Sequence, residues 1–418
     1  MTGLILLALY VALFVAAMTI AGMFTRRRRN DLTALKTVTF GDESAVRPNR
    51  VASVVSVLVL FLLWGAFTGS AWAPVHVPGP FLGQGSFTYT ARDATGATDE
   101  AEVVFVVHEV GTEAEAPEIP EGEGLALNDT GTIGAYRSKL FRVTRNDAPG
   151  VEVVAVDGQP IAPGGVVAIE GGTVSMTPKG TLHVTPATGY RMESIWLPAP
   201  EEVVGAFIDI SQNGFQNYTL IEHLGWSLIR VLAGFAIGAA VGIPLGYAMG
   251  LSGWFRGWFD PIVEFMRPVP PLALIPLVII WFGIWETGKI VLLFLAALWI
   301  MAIAARAGVS GVNIAKIHAA YSLGANRWQI LRHVIIPNSL PEIFTGARVA
   351  MGVCWGTVVA AELVAAQKGA GMMIIAASKF QLTQIVIMGI ILIGLVGYGI
   401  DILMRKAETW LVPWRGRS

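Results

Sequence analysis

Long uncharged apolar runs alternate with short polar connections through most of the chain. Val51 to Trp72, Val231 to Phe255, Pro268 to Trp285, Ile290 to Ala305 and Phe380 to Ile400 contain no acidic or basic residue. Leu4 to Met23 is a sixth such run, and Ser339 to Ala366 a seventh that carries Glu342, Arg348 and Glu362. A bilayer core of about 30 Å takes about 20 residues of helix, because only an internally hydrogen-bonded backbone survives in lipid. The pattern therefore predicts about seven spans and an all-α polytopic membrane protein.

Residues 73–222 break the pattern. They are polar, rich in Gly, Pro and Thr, and acidic, as in Glu113, Glu115, Glu118, Glu121 and Glu123. Phe87 to Thr90 and Val103 to Val107 are β-prone runs flanking turn residues at Asp93 to Gly96, the signature of a hairpin. Val151 to Val156, Gly165 to Ile169, Thr173 to Met176 and Thr181 to Thr185 are further short strands. The proline-containing stretch Glu113 to Glu123 links the two pieces, and the whole predicts a small β-sandwich-like domain. The pieces resemble cadherin-like repeats of bacterial surface proteins in rotated order. The end-like piece, Gly85 to Val107, precedes the start-like piece, Leu125 to Tyr190. Asp93, Asp99, Asp129 and Asp147 do not form a dense loop of alternating calcium ligands, so a solvated acidic surface is expected.

Charge sets the expected orientation, since short loops rich in Arg and Lys stay in the cytoplasm. Arg26 to Arg29 follow the first run, which then enters with its N-terminus outside as an anchor. A signal peptide would carry its basic residues before the run and a cleavage site after it. Arg256 and Arg267, then Arg306, Lys316, Arg327 and Arg332, then Arg405, Lys406, Arg415 and Arg417 all fall on the cytoplasmic side. Residues 73–222 are then extracytoplasmic and the C-terminus cytoplasmic, in a bacterial inner membrane. Overall composition agrees: 54% of residues are hydrophobic and only 14% charged, against about 25% charged in soluble domains. The lone cysteine, Cys354, excludes a disulfide framework.

One connection carries a motif. His318-Ala319-Ala320-Tyr321-Ser322-Leu323-Gly324 leads through Ala325, Asn326, Arg327 and Arg332 to Ile336-Pro337. Ala319 and Ala320 let a short helix approach a partner closely, Gly324 permits a turn, and Asn326 suits the N-cap of a second helix over Arg327 to His333 that Pro337 ends. This stretch resembles the coupling loop of ABC importer permeases, with His318 where that family usually has Glu. Leu197 to Val203, Asp260 to Glu264, Arg267 to Ala273, Trp281 to Ile284, Val359 to Ala366 and Leu411 to Gly416 resemble the nitrate, sulfonate and taurine subfamily. The tail and Arg267-Pro268-Val269-Pro270-Pro271 point to taurine-type members.

The resemblance implies an ABC importer type I permease core and divides the chain accordingly. An additional anchor covers 1–25, a cytoplasmic linker 26–50, the first core span 51–72, the β-rich insert 73–192, and the permease core 193–418 with its coupling loop at 315–337. Core spans are expected near 51–72, 226–250, 268–285, 287–305, 338–366 and 384–403. The expected assembly is a homodimer with cytoplasmic ABC ATPase subunits and an extracytoplasmic substrate-binding protein. ATP and Mg would be bound on the ATPase, leaving this chain no catalytic, cofactor or metal site. No nucleic acid is implied. The substrate suggested is a small anion such as taurine or another sulfonate, with nitrate, bicarbonate and other small molecules as alternatives. A degenerate permease acting as a sensor is a further alternative, and the insert is a candidate docking or tethering module.

Three other features concern sites. Gly234, Gly238, Gly242, Gly246 and Gly250 form a strip for close helix packing, against this chain or a second copy. Arg348 and Glu362 are candidates for the translocation path or a gate, about 21 Å apart along one span. Gly283 to Lys289 matches the opening of a phosphate-binding loop but carries Trp285, lacks the closing Ser or Thr, and follows no soluble strand.

Overall fold

The computed structural model of the chain describes residues 2–25, 50–120 and 122–414. The expectations for Arg26 to Arg29, for nearly all of the linker, and for Glu121, Arg415, Gly416 and Arg417 lie outside these residues. Two compact units divide the chain, Met1–Glu201 and Glu202–Ser418.

The first unit opens with two apolar helices, α1 (Thr2–Thr25) and α2 (Arg50–Thr68). Gly69, at φ +71°, ends the second helix. Nine strands follow: β1 (Gly83–Arg92), β2 (Thr98–His108), β3 (Asp129–Gly134), β4 (Lys139–Phe141), β5 (Glu152–Val156), β6 (Gln159–Pro160), β7 (Val166–Ile169), β8 (Gly172–Met176) and β9 (Leu182–Pro186). They form one sheet in the order β3-β2-β1-β5-β6 and another in the order β4-β9-β8-β7. The expected hairpin is β1 with β2, where Phe87 lies opposite Val103 and Tyr89 opposite Ala101. Its turn is closed by the Asp93 carboxylate, which accepts the N–H groups of Thr95 at 2.8 Å and Ala97 at 2.9 Å.

Alternate residues of both sheets point into one shared core. Phe87, Tyr89, Val103, Phe105 and Val156 meet Phe141, Val174, Met176, Leu182 and Val184 there, so the domain is a sandwich. β2 and β3 pair in parallel, which requires a crossover of a dozen residues or more. The stretch containing Glu113 to Glu123 supplies it, and no helix or strand forms within its described residues.

The aspartates differ from the expected solvated surface. Asp99 accepts the N–H groups of Ala126 at 3.0 Å and Leu125 at 2.7 Å, and these bonds hold its carboxyl below the usual range. Asp147 accepts the Tyr89 hydroxyl and the Leu127 N–H, both at 2.8 Å. Beside it, burial and then the Asp147 charge push Asp129 up to about 7. Turn-forming and pinning work, rather than solvation alone, explains these carboxylates.

After α3 (Pro200–Asn213), the second unit is helical: α4 (Leu220–Leu251), α5 (Gly253–Met266), α6 (Ile275–Phe282), α7 (Glu286–Ser310), α8 (Ile314–Ser322), α9 (Arg327–Ile330), α10 (Ile336–Ala365), α11 (Ala370–Lys379) and α12 (Thr383–Leu411). A reciprocal capping box between Thr219 and Glu222 starts α4. The glycine strip of α4 lies against α7 of the same chain. A Cβ at Gly238 would sit 2.6 Å from that of Ala297, and one at Gly242 would sit 2.6 Å from the Leu298 carbonyl oxygen. Such backbone approach replaces hydrophobic drive where the solvent is itself apolar. Val231, Leu293, Ala297, Met301, Ala347, Met351 and Val358 complete the α4–α7–α10 core, with Ile393 and Val396 of α12 packed on it.

Among the described residues five straight helices are long and apolar enough to cross a bilayer. The expected span at 268–285 is not a single straight helix; Pro271–Phe282 is long and apolar enough only together with Gly253–Met266, as a bent pair that would make a sixth. Pro268, Pro270 and Pro271 remove successive N–H donors, and the chain makes a 3-10 turn at Pro271–Leu274 before the short α6. The arm Pro271–Phe282 stands at 93° to α5.

Candidate functional site

The connection between α7 and α10 folds as a knob at one end of the helical unit. Asn313 caps α8 by accepting the Ala315 N–H at 2.8 Å. Gly324, at φ +82°, then closes a Schellman turn in which the Ala325 N–H reaches the Ala320 carbonyl at 3.0 Å and the Gly324 N–H reaches Tyr321 at 2.9 Å. Asn326 and Gln329 form a capping box for α9. Ala320 and Ala325 pack inward on Val309, Ile330 and Ile335, whereas Ala319 faces out. Ile314, Tyr321, Leu323 and Trp328 are exposed, Leu323 to 88%, and His318, Arg327 and Arg332 lie exposed among them. An apolar and aromatic surface rimmed by basic groups has the makeup of a docking face.

Pro337 does not end the second short helix. The chain passes through a π-turn, Leu331–Ile335, directly into α10, and the Ile336 N–H bonds the Leu331 carbonyl five residues back. The wide turn accommodates Pro337, which has no N–H to offer the His333 carbonyl. The tail folds back here, Trp414 donating its ring N–H to the Pro337 carbonyl at 3.2 Å.

The opposite end of the same helices holds a buried polar knot. Arg230 of α4 donates through Nε to Glu286 Oε2 at 2.6 Å and through Nη2 to Glu286 Oε1 at 2.8 Å. Its Nη1 reaches Glu362 Oε1 of α10 at 2.6 Å and the Lys368 carbonyl at 2.9 Å. Glu362 also accepts the Ser227 hydroxyl at 2.8 Å and the Gly371 N–H at 3.0 Å, the latter in the first turn of α11. His223 bonds the Phe215 carbonyl through Nε2 and meets Gly369 through Nδ1, each at 3.1 Å. Three helices and the loop at 366–369 are thus fastened by charge-assisted bonds, with Glu362 fully buried and Glu286 44% exposed.

Glu362 and Arg348 are not brought together. Arg348 pairs instead with Glu408 of α12 and lies 3.9 Å from Asp401. It lines a small cleft with Trp355 and Gly397. Lys289, the lysine of the apparent phosphate loop, donates to Glu286 at 2.9 Å and belongs to the knot. Reading uncharged runs passed over Arg230, Glu286, His223 and Ser227. Their signal lay at the edges of those runs, where the starts of α4 and α7 and the end of α10 meet.

A family model described as binding-protein-dependent transport system inner membrane component matches residues 223–411. The taurine transport system permease protein TauC of Escherichia coli is 45% identical over 237 residues, 56% of this chain and 86% of that one. The protein named SsuC of Escherichia coli, whose name assigns it to aliphatic sulfonates transport, is 40% identical over 218 residues, 52% of this chain and 81% of that one. The bicarbonate transport system permease protein CmpB of Synechococcus elongatus is 33% identical over 189 residues, 45% of this chain and 66% of that one.

Proposed function

Because the chain belongs to the family of binding-protein-dependent transport system inner membrane components, we propose that it is the membrane path of an ATP-driven importer for taurine or another sulfonate. It is a permease subunit of an ABC importer, in the taurine, sulfonate and nitrate group, and not an enzyme in its own right. The exposed knob around Tyr321, Leu323 and Trp328, joined to α10, supports the coupling to an ATPase, and the likeness to TauC and SsuC supports the substrate.

In this reading two copies of the chain assemble with two cytoplasmic ATPase subunits that bind ATP and Mg. Each knob seats in an ATPase groove, with His318, Ala319, Ala320, Gly324, Ala325, Arg327, Arg332 and Pro337 shaping it. An extracytoplasmic binding protein delivers the anion to the opposite face, where the Arg230–Glu362 knot lies. Closure of the ATPase pair moves the knobs and switches the helices between two packings. The sandwich lies outside the membrane, as the basic loops elsewhere require.

ATPase activity in proteoliposomes with the cognate ATPase and binding protein, titrating taurine against nitrate and bicarbonate, tests this. Stimulation by taurine is expected. Stimulation by bicarbonate alone, which the likeness to CmpB would favour, moves the substrate assignment. A stable complex that no anion stimulates points to another substrate or to a sensor, a reading that His318 permits. Deleting 84–190 separates the roles of the sandwich. Unchanged uptake with altered partner recovery indicates tethering, and lost binding-protein docking ties the domain to transport.

A further inference from the structure

The α5 helix is amphipathic in a way the transport reading leaves unused. Trp254, Trp258, Ile262 and Phe265 recur at helical spacing and are exposed to 65%, 64%, 49% and 73%. Arg256, Asp260 and Glu264 run along the opposite side. There Arg306 of α7 pairs with Asp260 and with Glu264, the latter at 2.7 Å. Val263 packs inward on Met249 and Ala302. One side of the helix is therefore fastened to the bundle, while the aromatic side meets no other described residue that covers it.

Geometry says what covers it. Only Ser252 separates α5 from α4, a helix of spanning length, so α5 starts at the membrane surface. Its 14 residues reach about 21 Å, short of the roughly 30 Å a crossing needs. The uniformly apolar arm after it turns through 93°, so the two cannot both follow the bilayer normal. The amphipathic arm belongs in the plane, with aromatic rings at headgroup depth. Arg256 and Arg267 lie on the carboxylate side, 3.6 Å from Asp260 and 3.9 Å from Glu264, which leaves the aromatic face free of charge.

We propose that α5 lies in the headgroup layer of the bilayer, its tryptophan face in lipid, at the membrane face that carries the knob. Gly250 packs on Val309, four residues before the Asn313 cap of the knob, which puts both at one end of the bundle.

The test uses the full chain with Cys354→Ser, carrying Trp258→Cys or Phe265→Cys labelled with bimane. It is reconstituted in phosphatidylethanolamine–phosphatidylglycerol vesicles containing nitroxide lipids of known depth. Quenching by headgroup and shallow-chain nitroxides several-fold stronger than by a chain-terminal nitroxide is expected at both sites. Stronger quenching by the chain-terminal probe overturns the proposal in favour of a crossing helix. Quenching by aqueous iodide alone, or by no probe, overturns it in favour of water or a protein partner.

Discussion

Arg230 and Glu362 meet at 2.6 Å with side chains only 1% and 0% exposed, although α4 and α10 lie far apart in the chain. Removing Glu362 leaves Arg230 only the partly exposed Glu286 as a counter-charge and takes the acceptor from the buried Gly371 N–H. Glu362→Ala should therefore cost about 3–5 kcal/mol, measured as thermal unfolding of the purified chain in detergent. Glu362→Gln keeps an acceptor for Ser227 and Gly371 and should lose less. Equal stability of Glu362→Ala and the unaltered protein would contradict the knot as described.

Gly324 holds a left-handed backbone at the centre of the knob with no atom near the position of a Cβ. Strain rather than crowding is thus the expected effect of a side chain, about 1–2 kcal/mol for a β-branched residue. Gly324→Val should leave the helices folded but distort the knob, so that ATP hydrolysis no longer drives uptake. Gly324→Asn, which tolerates that backbone, should be milder. Normal uptake by Gly324→Trp would remove the coupling role assigned to this turn.

Two glycines of α4 make an internal contrast. A Cβ at Gly242 would meet the α7 backbone, whereas one at Gly225 would meet nothing within 4 Å. Gly242→Leu should sharply reduce the yield of monodisperse protein on size exclusion. Gly225→Ala should be neutral or raise stability by about 0.5–1 kcal/mol.

Asp129 offers a pH-dependence of known sign. Its folded value of about 7 lies above the roughly 4 of an unfolded chain, so the fold holds a proton that the unfolded chain releases. This group contributes most below pH ~4, and its contribution falls as pH rises to about 7. Hydrogen exchange of β1 and β2 amides in the full chain should quicken over that window beyond the intrinsic rate change. Asp129→Asn should flatten the dependence.

Periodicity and turn chemistry made much of this fold legible. The β1–β2 hairpin, the four later strands, the glycine strip and the Asn326 cap each follow from local spacing. The partners did not. Nothing local indicates that Glu362 bonds Arg230, or that Arg348 bonds Glu408, since fourteen positions on one helix say nothing of which neighbour each end meets. The stretch at 268–285 departs from one straight helix for another reason. Apolarity counts residues suited to lipid, but three prolines in four positions decide whether those residues can form one straight helix.

The π-turn at Leu331–Ile335 has a mechanical meaning beyond accommodating a proline. One extra residue in a turn advances the angular phase of everything after it by about 100°. The knob and the buried face of α10 are therefore clocked separately about a common axis, and Pro337, lacking an N–H, holds the offset open. A push on the knob would reach α10 as torque along a shaft rather than as bending at a joint.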